Sequence, residues 1–339
     1  MNWAAEEFRE IDLGDRRLDR RAVLLAERLA AKPEASVPQT CGSRAETMTA
    51  YRFFQYERLD WRYLMAPHLR CAEARMRPCP VARCLADTTG LDFNEQAMEG
   101  LGPLSCGAQR GMYLHATCGV TPDREPLGVL DAWMWVREQK DVKTGIRPSL
   151  KESVRWIERY ERIAELAAGL PQTRLVFVAD RESDILALIQ QVHALPHPAD
   201  WLVRAQHNRA WPSRQKLWAA STAGEPLSGV RFELPAQPGQ AARLVRQAVR
   251  VSVVELPDGR DGRLPVTCVV ARELSPPAGV KPVEWRLLTN RTVAGLEAAI
   301  ELIDWYRARW EIDQLWNMDK AAAIQIKQSG RACLVLGAT

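Results

Sequence analysis

Residues 174–184 read RLVFVADRESD, and this stretch decides the fold. Leu175–Ala179 is a continuous apolar run closing on Asp180. A short run without polar alternation predicts a strand buried on both faces, as in a sheet covered by helices. Upstream, LKESVRWIERYERIAELAAGL (150–170) carries helical spacing and is stopped by Gly169 and Pro171. Downstream, DILALIQQVHAL (184–195) predicts a helix with Asp184 as its N-cap, and DWLVRAQHN (200–208) a further strand. Before all of these stand three strand-like runs, VARCLADTTGLDF (81–93), GMYLHATCGVTP (111–122) and PLGVLDAWMWVRE (126–138).

The resulting order, β-β-β-α-β-α-β, predicts an α/β chain with an RNase H-like mixed sheet core. The core's first part spans residues 76–209. Residues 1–75 read as a helical module, with an amphipathic helix over Ala22–Ala31 ending at Pro33. A second helix starts at Ser43, whose spacing to Glu46 is that of a capping box, and WRYLMAPHLRCAEARM (61–76) is a third. Arg16, Arg17, Arg20, Arg21 and Arg44 lie in this module among acids. They read either as solvated helix faces or as a DNA-end-binding surface. Residues 210–292 interrupt the alternation with a β-rich insertion. In it, Val249, Val251 and Val253 share one face, and PDGRDG (257–262) turns a hairpin. Residues 293–325 return to helix, and 326–339 form an atypical tail.

Composition narrows the classes without choosing one. Lys and Arg number 46 against 42 Asp and Glu, a formal charge of +4 that permits a nucleic-acid partner without demanding one. The preference for arginine fits phosphate contacts and equally a GC-rich coding sequence. The charged N-terminus predicts no signal peptide, and no apolar run is long enough to span a membrane, so a cytoplasmic, nucleoid-associated protein is expected. Eight scattered cysteines without a C-x-x-C pair predict reduced thiols.

Asp87 ends the run Val81–Ala86 as Asp180 ends Leu175–Ala179. Either acid alone reads as a loop-start or N-cap residue. Two on strands expected to be neighbours suggest a divalent-metal site, since a carboxylate at the end of a buried strand needs a compensating partner. In the last helix Tyr306, Arg309, Asp313 and Lys320 stand at offsets 0, 3, 7 and 14. At about 100° per residue they fall within about 60° of one another. That stripe reads either as a solvated polar face or as a third carboxylate flanked by phosphate-holding cations.

The spacing Tyr306-x2-Arg309-x3-Asp313-x6-Lys320 resembles the Y-R-E-K signature of the IS4 family of transposases, the Tn5-like group. DLGDRRLDRR (12–21), TAYRFF (49–54), ADTTGLDF (86–93), VADRESDI (178–185), WLVRAQHNR (201–209) and WRLLTNR (285–291) stand in family order. The resemblance implies a DDE transposase whose catalytic and metal-binding carboxylates are Asp87, Asp180 and Asp313. Mg²⁺ is the implied cofactor, with Mn²⁺ as substitute. It further implies that Tyr306, Arg309, Lys320 and Arg204 contact DNA, and that Trp285 stacks on a base flipped from the transposon end. The implied partners are double-stranded DNA and a second copy of the chain. Two departures stand out. Asp313 occupies the place of a glutamate, and the sequence after Lys320 lacks the family's helical continuation, as expected of a truncated or frameshifted copy. A catalytically inactive DNA-binding remnant that represses a full-length transposase is therefore the alternative expectation.

Overall fold

The computed structural model describes residues 2–309 apart from 34, 95–99, 106–108, 140, 142, 145–151, 196–197, 210–215, 235, 237–240 and 259–261. The helices of the first part are α1 (Trp3–Glu7), α2 (Arg16–Ala31), α3 (Val37–Thr40), α4 (Arg44–Phe54) and α5 (Trp61–Met76). Strands β1 (Val81–Asp92), β2 (Gly102–Pro103), β3 (Arg110–Val120) and β4 (Pro126–Trp135) follow. Next come α6 (Glu152–Gly169), β5 (Arg174–Ala179), α7 (Leu186–Ala194), β6 (Asp200–Arg204) and α8 (Leu217–Ala220). The last described elements are β7 (Ser228–Leu234), β8 (Arg243–Pro257), β9 (Arg263–Glu273), β10 (Glu284–Thr289) and α9 (Leu296–Ala308). The chain is thus mixed α/β with a large mixed sheet. Its described residues fall into two compact units, 1–79 with 86–150, and 80–85 with 151–309.

In the first unit, α2, α3, α4 and α5 share a core of Ala22, Leu25, Leu29, Val37, Ala50, Phe53, Phe54 and Leu64. Helix α2 begins six residues before the expected Ala22, because the Asp15 side chain accepts the Arg17 N–H at 2.8 Å and nucleates an earlier first turn. Strand β3 pairs antiparallel with β2 and β4. Helix α5 packs on β4, and Gly128 makes the approach possible. At φ 130° it adopts a backbone conformation that favours glycine, and an added Cβ would lie 2.9 Å from the Ala72 methyl.

The second unit's sheet runs β1-β5-β6-β10-β9-β8-β7, with β1 contributing its first residues. Strands β5 and β6 are parallel, and β10 pairs antiparallel with both β6 and β9. Strands β7–β10 therefore extend the sheet of β5 and β6 instead of forming a layer of their own. Leu175–Ala179 is fully buried, as its unbroken apolar run requires.

Strand β8 departs from the sequence expectation. Val249 is buried, but Val253, on the same face by alternation, is 71% exposed while Val254 is buried. The register with β9 is unbroken, so no bulge causes the change. Burial itself changes face. Val245, Gln247 and Val249 are inward in the first half, and Val254 and Leu256 in the second, where Gln190 of α7 donates to the Pro257 carbonyl at 3.2 Å.

Candidate nucleic-acid interface and strand-end carboxylates

Helix α2 buries Ala22, Leu25, Ala26 and Leu29, which leaves Arg16, Arg17 and Arg20 on the opposite, exposed face. Helix α4 repeats the arrangement: Ala50, Phe53 and Phe54 face inward while Arg44, Met48 and Arg52 are exposed. Tyr56 and Arg58 stand exposed just beyond it. Among the described residues these arginines form no ion pair, unlike Arg28, which lies 3.3 Å from Glu46. The expected capping box at Ser43 is half formed. Ser43 Oγ accepts the Glu46 N–H at 3.2 Å, but the Glu46 carboxylate accepts from Gly42 N and Arg28 instead of from Ser43 N. Arg28 draws that carboxylate out of the box.

Helix α1 is tied to α5 and β4 by a cluster that no sequence motif announced. Glu7 receives both terminal nitrogens of Arg75, at 2.8 and 2.9 Å, and lies 2.6 Å from His68 Nδ1. The Val129 N–H, which can only donate, points at His68 Nε2 at 2.9 Å. That fixes the neutral tautomer with its proton on Nδ1, donated to Glu7. Burial lowers the His68 pKa below 6.5 despite the attraction of Glu7. Burial alone would raise Glu7, but the hydrogen bonds from Arg75 and His68 and the charge of Arg75 outweigh it and hold the carboxyl below 4.5.

In the second unit, register places the predicted residues with respect to one another. Ala179 pairs with Val203, so Asp180 and Arg204 stand level at the carboxyl ends of adjacent parallel strands. Val178 pairs with Leu202, Leu202 with Thr289, and Arg204 with Leu287. By alternation Asp180, Arg204 and Trp285 therefore occupy one face of the sheet. Helix α9 packs against that face, its Tyr306 ring centroid 6.4 Å from that of Trp285. Arg204 donates to the Glu284 carbonyl at 3.2 Å. Asp180 Oδ1 accepts the Glu182 N–H at 2.8 Å, so the acid caps the single 3₁₀ turn 181–183. Among the described residues its Oδ2 has no hydrogen-bond partner.

Two predicted side chains are more enclosed than the sequence suggested. Trp285 is 2% exposed and stacks on Phe232, with centroids 5.3 Å apart. In this arrangement neither face of the indole is offered to a base. Tyr306 is also 2% exposed, so the stripe 306–309 begins in the core and not on a solvated face. Arg309 caps the C-terminus of α9 at 9% exposure. The expected N-cap role of Asp184 falls to Ile185. Asp184 is instead a buried carboxylate paired with Arg209 at 2.5 Å.

Asp87 lies half-buried within β1, in the other unit, with polar partners of its own. Asp313 and Lys320 lie outside the described residues, as do the tip of the 257–262 hairpin and the tail. Among the described residues no group of three His, Cys, Asp or Glu side chains could hold a metal ion. The described cysteines Cys41, Cys71, Cys79, Cys84, Cys118 and Cys268 are free thiols. Burial pushes Cys84 far up and Cys268 up to about 12, which keeps both protonated and inert. No described helix is long and apolar enough to cross a membrane.

Residues 1–59 match the family model described as transposase DNA-binding, which coincides with the module carrying the solvated arginines. The match supports a transposase as the broad class of the chain and DNA as its partner. Among solved structures, a piggyBac transposase synaptic complex with hairpin DNA aligns with 96% of this chain and 70% of its own, at 10% identity and a TM-score of 0.47. Likeness at that level sets no fold by itself.

Proposed function

We propose that the chain is a DDE-type DNA transposase with an RNase H-like core, similar to the IS4 family, acting on phosphodiesters at the ends of an element. The observation that carries the reading is the transposase DNA-binding match over residues 1–59, on a module whose exposed arginines at 16, 17, 20, 44 and 52 have no described acidic partner. Such arginines supply the phosphate term of duplex affinity. The reaction is assigned to Asp87, Asp180 and Asp313, which would hold Mg²⁺, or Mn²⁺ in its place. Their oxygen-only donor set fits a hard divalent cation, and Asp180 keeps one carboxylate oxygen without a described partner. A bound cation pair would activate the attacking oxygen and stabilise the leaving one. Arg204 stands beside Asp180 and neutralises a phosphate there, and Arg309 and Lys320 extend the cationic lining. With Phe232 on its ring, Trp285 is assigned to fixing α9 against β10, not to stacking on a base. The active complex is assigned to a homodimer on duplex DNA.

The test is a band-shift assay beside a nicking assay in Mg²⁺ or Mn²⁺, on the DNA flanking the gene. The expected result is duplex binding with metal-dependent nicking. Asp313 is one methylene shorter than glutamate, and misplacement on that scale costs on the order of 10²-fold in rate. Asp313→Glu is accordingly expected to raise nicking by about that factor. Absence of duplex binding would overturn the reading. The aspartate at 313 favours one second reading, a DNA-binding remnant that represses an active relative. Binding without nicking, in both the native chain and Asp313→Glu, selects it.

A further inference from the structure

Asp184 lies four residues after Asp180 and carries one of the few carboxylates of the second unit removed from water, at 1% exposure. Every bond its carboxylate makes reaches the segment that follows β6. Oδ2 accepts the N–H groups of Gln206 and His207 at 2.7 and 2.9 Å. Oδ1 accepts from Arg209 at 2.5 Å, and the other terminal nitrogen of Arg209 donates to the Asp184 carbonyl at 2.7 Å. The same segment is held on its far side, where Ala205 N donates to the Arg286 carbonyl at 2.7 Å and Trp218 N to Asn208 Oδ1 at 3.0 Å. A buried charge is retained only where it is paired and fully hydrogen-bonded, and this one is. The two segments it joins are those that leave β5 after Asp180 and β6 after Arg204.

We infer that Asp184 and Arg209 are positioning residues for the strand-end site. They clamp the 205–209 segment to the turn after β5 and so fix Arg204 beside Asp180 for contact with a DNA phosphate. The inference rests on the proposed function only through the role given to Arg204. Neither Asp184 nor Arg209 is assigned contact with DNA.

The test is a double-mutant cycle in the full chain between Asp184→Asn and Arg204→Ala, read as duplex affinity and as metal-dependent nicking. Backbone amide exchange is followed in parallel. Asp184→Asn keeps the side-chain shape but turns an amide toward existing donors. It is expected to reproduce the loss caused by Arg204→Ala in either readout, on the order of tenfold or more, with less than about twofold further loss in the double variant. Amide exchange at Gln206 and His207 speeds up while residues 175–179 and 201–203 stay protected. Arg209→Lys, which keeps the charge and loses the fork, is expected to fall between the native chain and Asp184→Asn.

The clamp is overturned if Asp184→Asn leaves both readouts unchanged, if its loss adds fully to that of Arg204→Ala, or if exchange loosens throughout β5 and β6. It is overturned equally if Arg204→Ala has no effect, since nothing would then be positioned. Failure of the transposase reading is distinguishable. Neither the native chain nor Asp313→Glu would nick, while the affinity cycle still gives matching, non-additive losses.

Discussion

The N-terminal helical module and the strand ends of β5 and β6 handle charge in opposite ways. On α2 and α4 the arginines at 16, 17, 20, 44 and 52 stand in water with no described acidic partner, held only by the apolar faces beneath them. At the strand ends, Asp184 and Arg209 are enclosed, and Arg204 donates to a backbone carbonyl. Solvated arginines on long side chains suit a partner whose charge is spread along a polyanion, because their contribution is additive and tolerant of position. Clamped charges suit a task in which one phosphate must sit in one place, because an ångström of misplacement is costly. The contrast divides binding from positioning between the two regions, and each half of it can be broken separately.

The largest effect on stability is expected where the second unit is most tightly packed. Trp285→Ala removes an indole held between Phe232 and Tyr306, and a cost of about 3–5 kcal/mol is expected in denaturant unfolding. A cost near zero would mean that the indole is not packed as described. The first unit offers the complementary experiment. Replacing Arg16, Arg20, Arg44 and Arg52 together by alanine is expected to weaken duplex binding roughly 10²-fold at low salt and to flatten the salt slope by about four. Thermal stability should change little, because these side chains touch no core. An unchanged slope would locate the DNA surface elsewhere.

The cluster of Glu7, His68 and Arg75 gives a pH dependence of known sign. His68 has its folded pKa below 6.5, so the unfolded chain binds more protons in the window beneath that value. Stability is therefore complete above about pH 6.5 and is lost as pH falls toward the folded value. Glu7, held below 4.5, adds a second loss in the same direction at lower pH. The protonated ring would turn an Nε2 proton toward the Val129 N–H. His68→Gln is expected to cost about 1–3 kcal/mol at pH 7.5, with a shallower fall between pH 7 and 5.5. A fall as steep as in the native chain would assign the titration to another group. Smallest of all, Val253→Thr is expected to change stability by less than about 0.5 kcal/mol, because Val253 stands 71% exposed. A large loss there would show that the face of β8 does not switch as described.

What could be read from the sequence was what local pattern determines. Leu175–Ala179 announced a buried strand because nothing polar interrupts it, and Asp87 and Asp180 stood out because an acid ends each such run. Asp184 was misread because an aspartate before a helical run has the look of a cap. Its partner, Arg209, lies 25 residues away, and no local pattern encodes that pairing. Alternation in 249–253 was real, but what covers each half of β8 is decided by α7 and α9, which come from distant parts of the chain. Trp285 and Tyr306 bury each other for the same reason. The cluster at His68 left one signal that could have been used, a histidine and an arginine about two helical turns apart on one face of α5, with Glu7 far upstream.

The most direct test of the division is the nicking rate and duplex affinity of Asp313→Glu with and without Asp180→Ala, measured in Mg²⁺ on the same end-bearing DNA. Nicking is expected to fall by at least about 10³-fold on loss of Asp180, with affinity unchanged within about twofold. Undiminished nicking, or loss of nicking and binding together, would contradict the separation of a binding module in the first 59 residues from a strand-end site at Asp180.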